Sequence, residues 1–168
     1  NTHQYFEYDS RGRLSREFRD GGAQSIAYAY PMPGAVVVTD AVGASTQYLF
    51  TTAGQIGQMR DANGRVTSFD YVTGANLSLI TTSVGSTYSF DYDKIDNLTS
   101  QIDPLGRQTS FTYEPTFNQI ASARDARGNT TSYSYDGRGN LISIAYADGS
   151  SDDYAVDTAG NPIEWQNR

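Results

Sequence analysis

Tyr133-Ser-Tyr-Asp-Gly-Arg-Gly-Asn-Leu-Ile-Ser-Ile144 is a β-hairpin written out residue by residue. Its first half alternates, with Tyr133 and Tyr135 on one face and Ser132 and Ser134 on the other. A period of two is the mark of a strand. Asp136-Gly-Arg-Gly139 follows. Asp suits the first position of a type I turn, because its carboxylate accepts from backbone N–H groups two residues on. Gly139 falls where a type I turn plus bulge needs a left-handed residue, and glycine has no Cβ to oppose that conformation. Leu141-Ile-Ser-Ile144 then runs back as the second strand.

The same unit recurs along the chain. The last aromatic of each incoming strand is Tyr8, Tyr30, Phe50, Tyr71, Tyr92, Tyr113 and Tyr135, with Val156 in the eighth place. Successive spacings are 22, 20, 21, 21, 21, 22 and 21 residues. One hairpin would carry little weight. Units in register at about 21 residues make a tandem array, which decides the fold before any local motif does. Each unit has a second turn on its far side, as in Asp20-Gly-Gly22, Asp40-Ala-Val-Gly43, Asp61-Ala-Asn-Gly64, Thr82-Ser-Val-Gly85, Asp103-Pro-Leu-Gly106, Asp125-Ala-Arg-Gly128 and Asp148-Gly149. The first turns run Asp9–Gly12, Pro31–Gly34, Thr51–Gly54, Val72–Ala75, Asp93–Asp96, Glu114–Phe117, Asp136–Gly139 and Asp157–Gly160. Strands of roughly five to seven residues fit between the turns, about sixteen in all. Short turns join antiparallel neighbours, so the expected fold is an all-β meander without helices. The aromatics should stack in register from unit to unit, with Tyr71, Tyr92 and Tyr113 largely buried on the face they share with Phe69, Phe90 and Phe111. The opposite face carries Ser, Thr, Asp and Gln and should be wet. Gly12, Gly54, Gly64, Gly106, Gly128, Gly139 and Gly160 should have positive φ.

Composition excludes several classes. The formal net charge of −7 argues against sequence-independent nucleic-acid binding, which needs a basic footprint. There is no Lys/Arg cluster for anionic lipid, and the longest β-branched run, in Ala35-Val-Val-Val38, is only strand-sized, so no membrane span is expected. The absence of cysteine removes disulfides and thiolate chemistry. Tyr supplies 13 of the residues behind a 38% hydrophobic share, which points to half-wet sheet surfaces rather than a thick aliphatic core. The chain begins at Asn1-Thr-His, just before an incoming strand, and stops at Arg168 within a return strand. It is read as residues 1–168 of a single tandem array, a slice of something larger in which each unit packs on its neighbours. No signal peptide is visible, which says nothing about the destination of a parent chain.

Tyr8-Asp-Ser-Arg-Gly-Arg-Leu14, Tyr135-Asp-Gly-Arg-Gly-Asn-Leu141 and Asp103-Pro-Leu-Gly-Arg-Gln-Thr-Ser-Phe-Thr-Tyr-Glu-Pro-Thr-Phe-Asn-Gln119 carry a recognisable pattern. Tyr-Asp-x-x-Gly-x-Leu followed by Asp-x-x-Gly resembles the YD repeat of Rhs proteins, over essentially the whole chain. Tyr30-Pro31, Tyr71-Val72 and Val156-Asp157 depart from it. The resemblance implies long β-strips that spiral into a hollow shell. Bacterial members are polymorphic toxins, some delivered by type VI secretion. Related Tc toxin subunits encapsulate a C-terminal toxic enzyme, and animal teneurins use a similar shell in cell adhesion. It therefore implies a curled or spiralling sheet, part of a β-shell. It also implies export of a parent protein from a bacterium, with the remaining YD repeats and an encapsulated effector as partners. The repeat residues it marks are Tyr8, Asp9, Gly12, Tyr92, Asp93, Asp103, Gly106, Tyr113, Tyr135, Asp136, Gly139, Asp157 and Gly160. The family's C-terminal core motif, whose Asp residues perform self-cleavage, has no counterpart here, and Asp103-Pro-Leu-Gly106 is read as a repeat turn.

Catalytic chemistry finds little footing. His3 is the single histidine, so a Ser/His/Asp or His-based metal site would depend on it, and it lies near a terminus. Asp148, Asp152 and Asp153 cluster, as do Asp91, Asp93 and Asp96, but without calcium-loop spacing. They are read as turn and strand-edge charge. Carboxylates spread through every turn offer no preferred pair for glycoside hydrolysis. The formal sequons at Asn76, Asn97 and Asn129 are explained by the turns they follow. No enzyme, cofactor or metal is expected. The expected role is wall material for a shell that sequesters an effector. The alternative is a carbohydrate-binding or cell-adhesion surface that uses the Tyr rings. The open edges, near Gln4–Tyr8 and Ile163–Trp165, are expected to invite self-association.

Overall fold

A computed structural model describes residues 3–72 and 74–168. Asn1, Thr2 and Thr73 lie outside the described residues, and with them the start of the opening segment and one position of the expected Val72–Ala75 turn. The chain divides into two compact units, Asn1–Thr87 and Tyr88–Arg168. The first holds β1 (Gln4–Tyr8), β2 (Leu14–Arg19), β3 (Ile26–Ala29), β4 (Ala35–Thr39), β5 (Ser45–Phe50), β6 (Ile56–Arg60), β7 (Val66–Tyr71) and β8 (Leu77–Thr81). The second holds β9 (Thr87–Tyr92, whose first residue falls in the first unit), β10 (Leu98–Ile102), β11 (Gln108–Tyr113), β12 (Ile120–Arg124), β13 (Thr130–Tyr135), β14 (Leu141–Ala145), β15 (Ser151–Val156) and β16 (Pro162–Asn167). Within each unit every strand pairs antiparallel with the next, an all-β meander of hairpins. Asp20–Gly22 forms a single 3-10 turn.

The turns make this meander possible. The seven glycines expected at positive φ all have it, from 73° at Gly12 to 90° at Gly128. Two non-glycine residues take the same place in their turns, Asp96 at 68° and Asn118 at 58°. Asp and Asn tolerate the left-handed region better than other side chains. Asn118 also corrects an expectation. The turn after Tyr113 does not end at Phe117 but runs one residue further, closed by the Glu114 N–H on the Gln119 carbonyl at 2.9 Å. The extra residue is the source of the 22-residue spacing there. The last far-side turn likewise begins at Tyr146 rather than Asp148, with Gly149 N–H on the Tyr146 carbonyl.

Next to the last aromatic of most incoming strands the ladder slips by one residue, as between Thr112 and Tyr113 or Ser134 and Tyr135. Such a bulge re-aims the side chain beside it. It sets Tyr8 opposite Leu14, Phe50 opposite Ile56, Tyr71 opposite Leu77, Tyr92 opposite Leu98, Tyr113 opposite Ile120 and Tyr135 opposite Leu141. Aromatic and aliphatic side chains therefore alternate along the row. The expected stack of ring on ring does not form, because rings of successive repeats stand two strands apart, roughly 9.5 Å. The ring pairs among the described residues are His3–Tyr5 and Tyr5–Phe18.

Tyr71, Tyr92 and Tyr113, expected to be largely buried, lie between the buried and the exposed residues, with part of each left open. Ala35 and Ser100 are the buried residues among those described. A sheet with no second layer over it covers one side of a ring and leaves the other open. At roughly half the 1.5–3 kcal/mol of a fully buried side chain, each row residue contributes modestly. Stability comes from many equivalent rungs rather than from a core.

Candidate functional site

The repeated site begins with one carboxylate. Asp9, Asp40, Asp61, Asp93, Asp103, Asp125, Asp136 and Asp157 each use Oδ1 to accept two backbone N–H groups, from the second and fourth residues on. Those bonds measure 2.8–3.0 Å. In most of these turns the fourth residue also returns its side chain to Oδ2. Arg13, Arg65 and Arg107 do so through the guanidinium, at 2.6–2.8 Å for Nε. Asn97, Asn129, Asn140 and Asn161 do so through the amide, at 2.9–3.0 Å. The working motif is thus Asp-x-x-Gly-Arg/Asn. Sequence reasoning stopped at the glycine, although the residue after it was legible.

These bonds lower the carboxyl pKa of Asp9, Asp61, Asp93, Asp103, Asp125, Asp136 and Asp157 from its ordinary value. For Asp61 and Asp103 the Arg side chain is the leading cause, and for Asp93, Asp125, Asp136 and Asp157 the Asn side chain. For Asp9 the backbone N–H of Arg13 leads. In these turns both carboxylate oxygens are engaged, so each acts as a structural clip.

The second part of the site ties repeat to repeat. Tyr30 donates its hydroxyl to the Leu14 carbonyl, Tyr71 to Ile56, Tyr113 to Leu98 and Tyr135 to Ile120, at 2.8–2.9 Å. Each acceptor begins the return strand of the preceding repeat. That carbonyl sits at the bulge, where the ladder is locally disrupted. Burial pushes the Tyr113 and Tyr135 hydroxyls above their usual pKa, so they remain donors. Tyr8 occupies the same repeat position and is 63% exposed, and Val156 has no hydroxyl to offer.

Turn also touches turn on the tyrosine side of the strip. Asn97 and Asn118 exchange amide bonds at 2.7 and 2.9 Å. The Phe117 ring lies over Gly139, where a Cβ would sit 2.9 Å from it. Arg138 Nη1 donates to the Thr158 carbonyl at 2.7 Å, and the Asn140 amide covers Gly160. In the first unit Gln55 Nε2 donates to the Gly74 carbonyl. The marked repeat residues Asp93, Asp136, Gly139, Asp157 and Gly160 lie along this line of turns, with Asp9 and Gly12 in the equivalent turn of the first repeat. Asp103 and Gly106 belong to the far-side turns.

The opposite face is polar. Thr39 meets Ser45, Thr112 meets Ser122, and Ser143 meets Asp153, at 2.7–2.8 Å. His3 Nδ1 faces Asp20 at 3.3 Å and is exposed, and the Tyr5 hydroxyl donates to the other oxygen of the same carboxylate at 3.0 Å. The acidic clusters separate. Asp152 is held by Tyr146 and Asn167, Asp153 by Ser143, and Asp93 by its own turn. Among the described residues no group of three His, Cys, Asp or Glu is arranged to hold a metal.

The RHS Repeat family model matches residues 92–129 and 116–151. No curated protein matches the chain. Several solved structures share its fold. The TcdB2-TccC3-Cdc42 crystal structure superposes with a TM-score of 0.68 at 14% identity, covering 98% of this chain and 12% of that one. The Tc holotoxin pore of Photorhabdus luminescens gives 0.58 at 14% identity, and TcdB2-TccC3 gives 0.58 at 14%, each with the same coverage of 98% and 12%. The chain thus spans about an eighth of the length of the structures it matches.

Proposed function

We propose that this chain, which carries RHS repeats, is a stretch of wall in a larger shell that encloses an effector. The tyrosine tether carries this reading. The repeats of Tyr30, Tyr71, Tyr113 and Tyr135 each supply a donor to the repeat before, so the strip is built to be lengthened. In this reading residues 1–168 are one slice of a single tandem array, and Tyr8, Asp9, Gly12, Tyr92, Asp93, Asp103, Gly106, Tyr113, Tyr135, Asp136, Gly139, Asp157 and Gly160 are its repeat residues. The partners are further repeats of the parent chain and an effector beyond them, in a protein exported from a bacterium. The likeness to TcdB2-TccC3 assemblies and to a Tc holotoxin supports that setting. The clipped carboxylates and the thin, half-wet sheet suit a scaffold.

The test uses the natural chain that contains this segment. Its effector region should resist added protease in the intact protein. It should be cut quickly when Gly139→Val and Gly160→Val open the wall. Equal cleavage rates in the intact and opened proteins would overturn the proposal.

A further inference from the structure

The repeats can be compared with one another, and two departures from their common pattern meet in one place. Three residues after the start of each return strand, on the tyrosine face, stand Glu17, Val38, Met59, Ile80, Gln101, Ala123, Ile144 and Trp165. Gln101 interrupts an otherwise mainly apolar position and is exposed. Unlike Glu17, which accepts from the Tyr28 hydroxyl, its amide makes no side-chain hydrogen bond among the described residues. Four residues before each last aromatic, and before Val156, the chain places Gln4, Ile26, Thr46, Thr67, Thr109, Thr131 and Asp152, but in the repeat of Tyr92 it places Tyr88, the one aromatic ring at this position, with 40% of its surface exposed. A local rule broken without a structural gain is where function is to be sought.

Tyr88 and Gln101 line a groove of about 560 Å³ in the second unit, together with Phe90, Thr109, Arg107 and Arg127. That volume is in the range of small-ligand sites. Its two nearby carboxylates are spent. Asp103 accepts from two backbone N–H groups and the Arg107 guanidinium. Asp125 accepts from two backbone N–H groups and the Asn129 amide. The polar groups without a hydrogen-bonded neighbour are the Arg127 guanidinium, a donor alone, which has no carboxylate within ion-pair distance among the described residues although it acts electrostatically on Asp125, and the Gln101 amide and the Thr109 and Tyr88 hydroxyls, which both donate and accept. Beside them stand two aromatic rings. The chain's charge of −7 opposes an anion only weakly here, since charges beyond about 8 Å are screened at physiological salt.

We infer that this groove binds a hydrophobic carboxylate, with the apolar group between Tyr88 and Phe90 and the carboxylate on Arg127 and Gln101. The ligand is a small aromatic acid or the carboxyl-terminal residue of a polypeptide, which share this chemistry. A neutral saccharide brings no negative charge to meet the Arg127 guanidinium and matches the site less well. The site is independent of the wall reading.

The chain of residues 1–168 is titrated by NMR with N-acetyl-phenylalanine, with its neutral amide, and with a peptide ending in phenylalanine. The acid should shift the Tyr88, Gln101 and Arg127 signals saturably, and the amide should bind at least about tenfold more weakly. Arg127→Gln should remove the difference between acid and amide. Gln101→Ile restores the residue found at positions 80 and 144, so it should fold normally and block binding by filling the groove. Tighter binding of the peptide than of the free acid would assign the source as a polypeptide terminus, and the reverse order a small acid. Equal binding of acid and amide, no binding of either, or binding unchanged by Gln101→Ile in a folded chain would each overturn the inference.

Discussion

The two lines of turns are made from one motif and behave differently. On the tyrosine side, in the second unit, each turn leans on the next: Asn97 on Asn118, Phe117 on Gly139, Arg138 on Thr158, Asn140 on Gly160. On the far side the turns at Asp40, Asp61, Asp103 and Asp125 are closed within themselves. A groove opens where two such turns, at Asp103 and Asp125, are neighbours. The Asp-x-x-Gly chemistry fixes the shape of a turn. What reaches out from that turn decides whether the edge is zipped or open.

Glycine substitutions should separate the two lines most strongly. Gly64→Ala, on the far side, meets nothing within 4 Å and bears only the left-handed backbone, φ 79°, a penalty of about 1–2 kcal/mol. Gly139→Ala, on the tyrosine side, bears the same penalty and also drives its Cβ into the Phe117 ring, 2.9 Å away, which adds roughly 1–3 kcal/mol. Denaturant melts of the two variants should differ by that second amount. The double variant Phe117→Ala with Gly139→Ala should recover part of it.

The tethers come next. Tyr113→Phe leaves the Leu98 carbonyl without its hydroxyl donor and should cost about 1 kcal/mol. Tyr88→Phe removes a hydroxyl with no partner among the described residues and should be close to neutral in the same melt. Equal losses for the two would mean that the tether contributes nothing beyond the ring.

Acid sharpens the comparison through the clips themselves. The folded pKa values of Asp9, Asp61, Asp93, Asp103, Asp125, Asp136 and Asp157 lie below the ordinary 3.8. Their contribution is full above the unfolded value and is lost as pH falls through the folded one, so stability should decline progressively from about pH 4 downward. The Thr82 turn, whose hydroxyl replaces the carboxylate in accepting from Ser86, has no such group at its first position. Hydrogen exchange at the Gly85 amide should therefore change less on local acidification than at Gly64 or Gly106, before global unfolding. A small effect should also come from Arg65→Asn, which exchanges one natural clip partner for the other. Its melting temperature should move less than that of Tyr113→Phe.

Much of this fold was legible from Tyr133 to Ile144 alone, because a period of two, an Asp and a left-handed glycine specify a hairpin locally. The 21-residue spacing then fixed its repetition. What escaped depended on distance in space. The degree of ring burial at Tyr71 and Tyr113 was not legible, since alternation shows which face a side chain takes but not how much covers it. The tether from Tyr113 to Leu98 spans 15 residues and follows from the bulge, whose register no single strand displays. The turn at Glu114 was misjudged by one residue because Asn118, not a glycine, takes the left-handed place. The partner role of Arg107 and Asn140 was within reach, since both directly follow the turn glycine in the quoted motifs.

The central claim, that these repeats are wall, is tested most directly by electron cryomicroscopy of the natural chain that contains them. The account predicts that residues 3–168 lie in the wall of a closed shell. The Tyr113 hydroxyl should sit on the Leu98 carbonyl, and a further repeat should pair with β16. A segment that projects from the assembly, with β16 facing solvent, would contradict it.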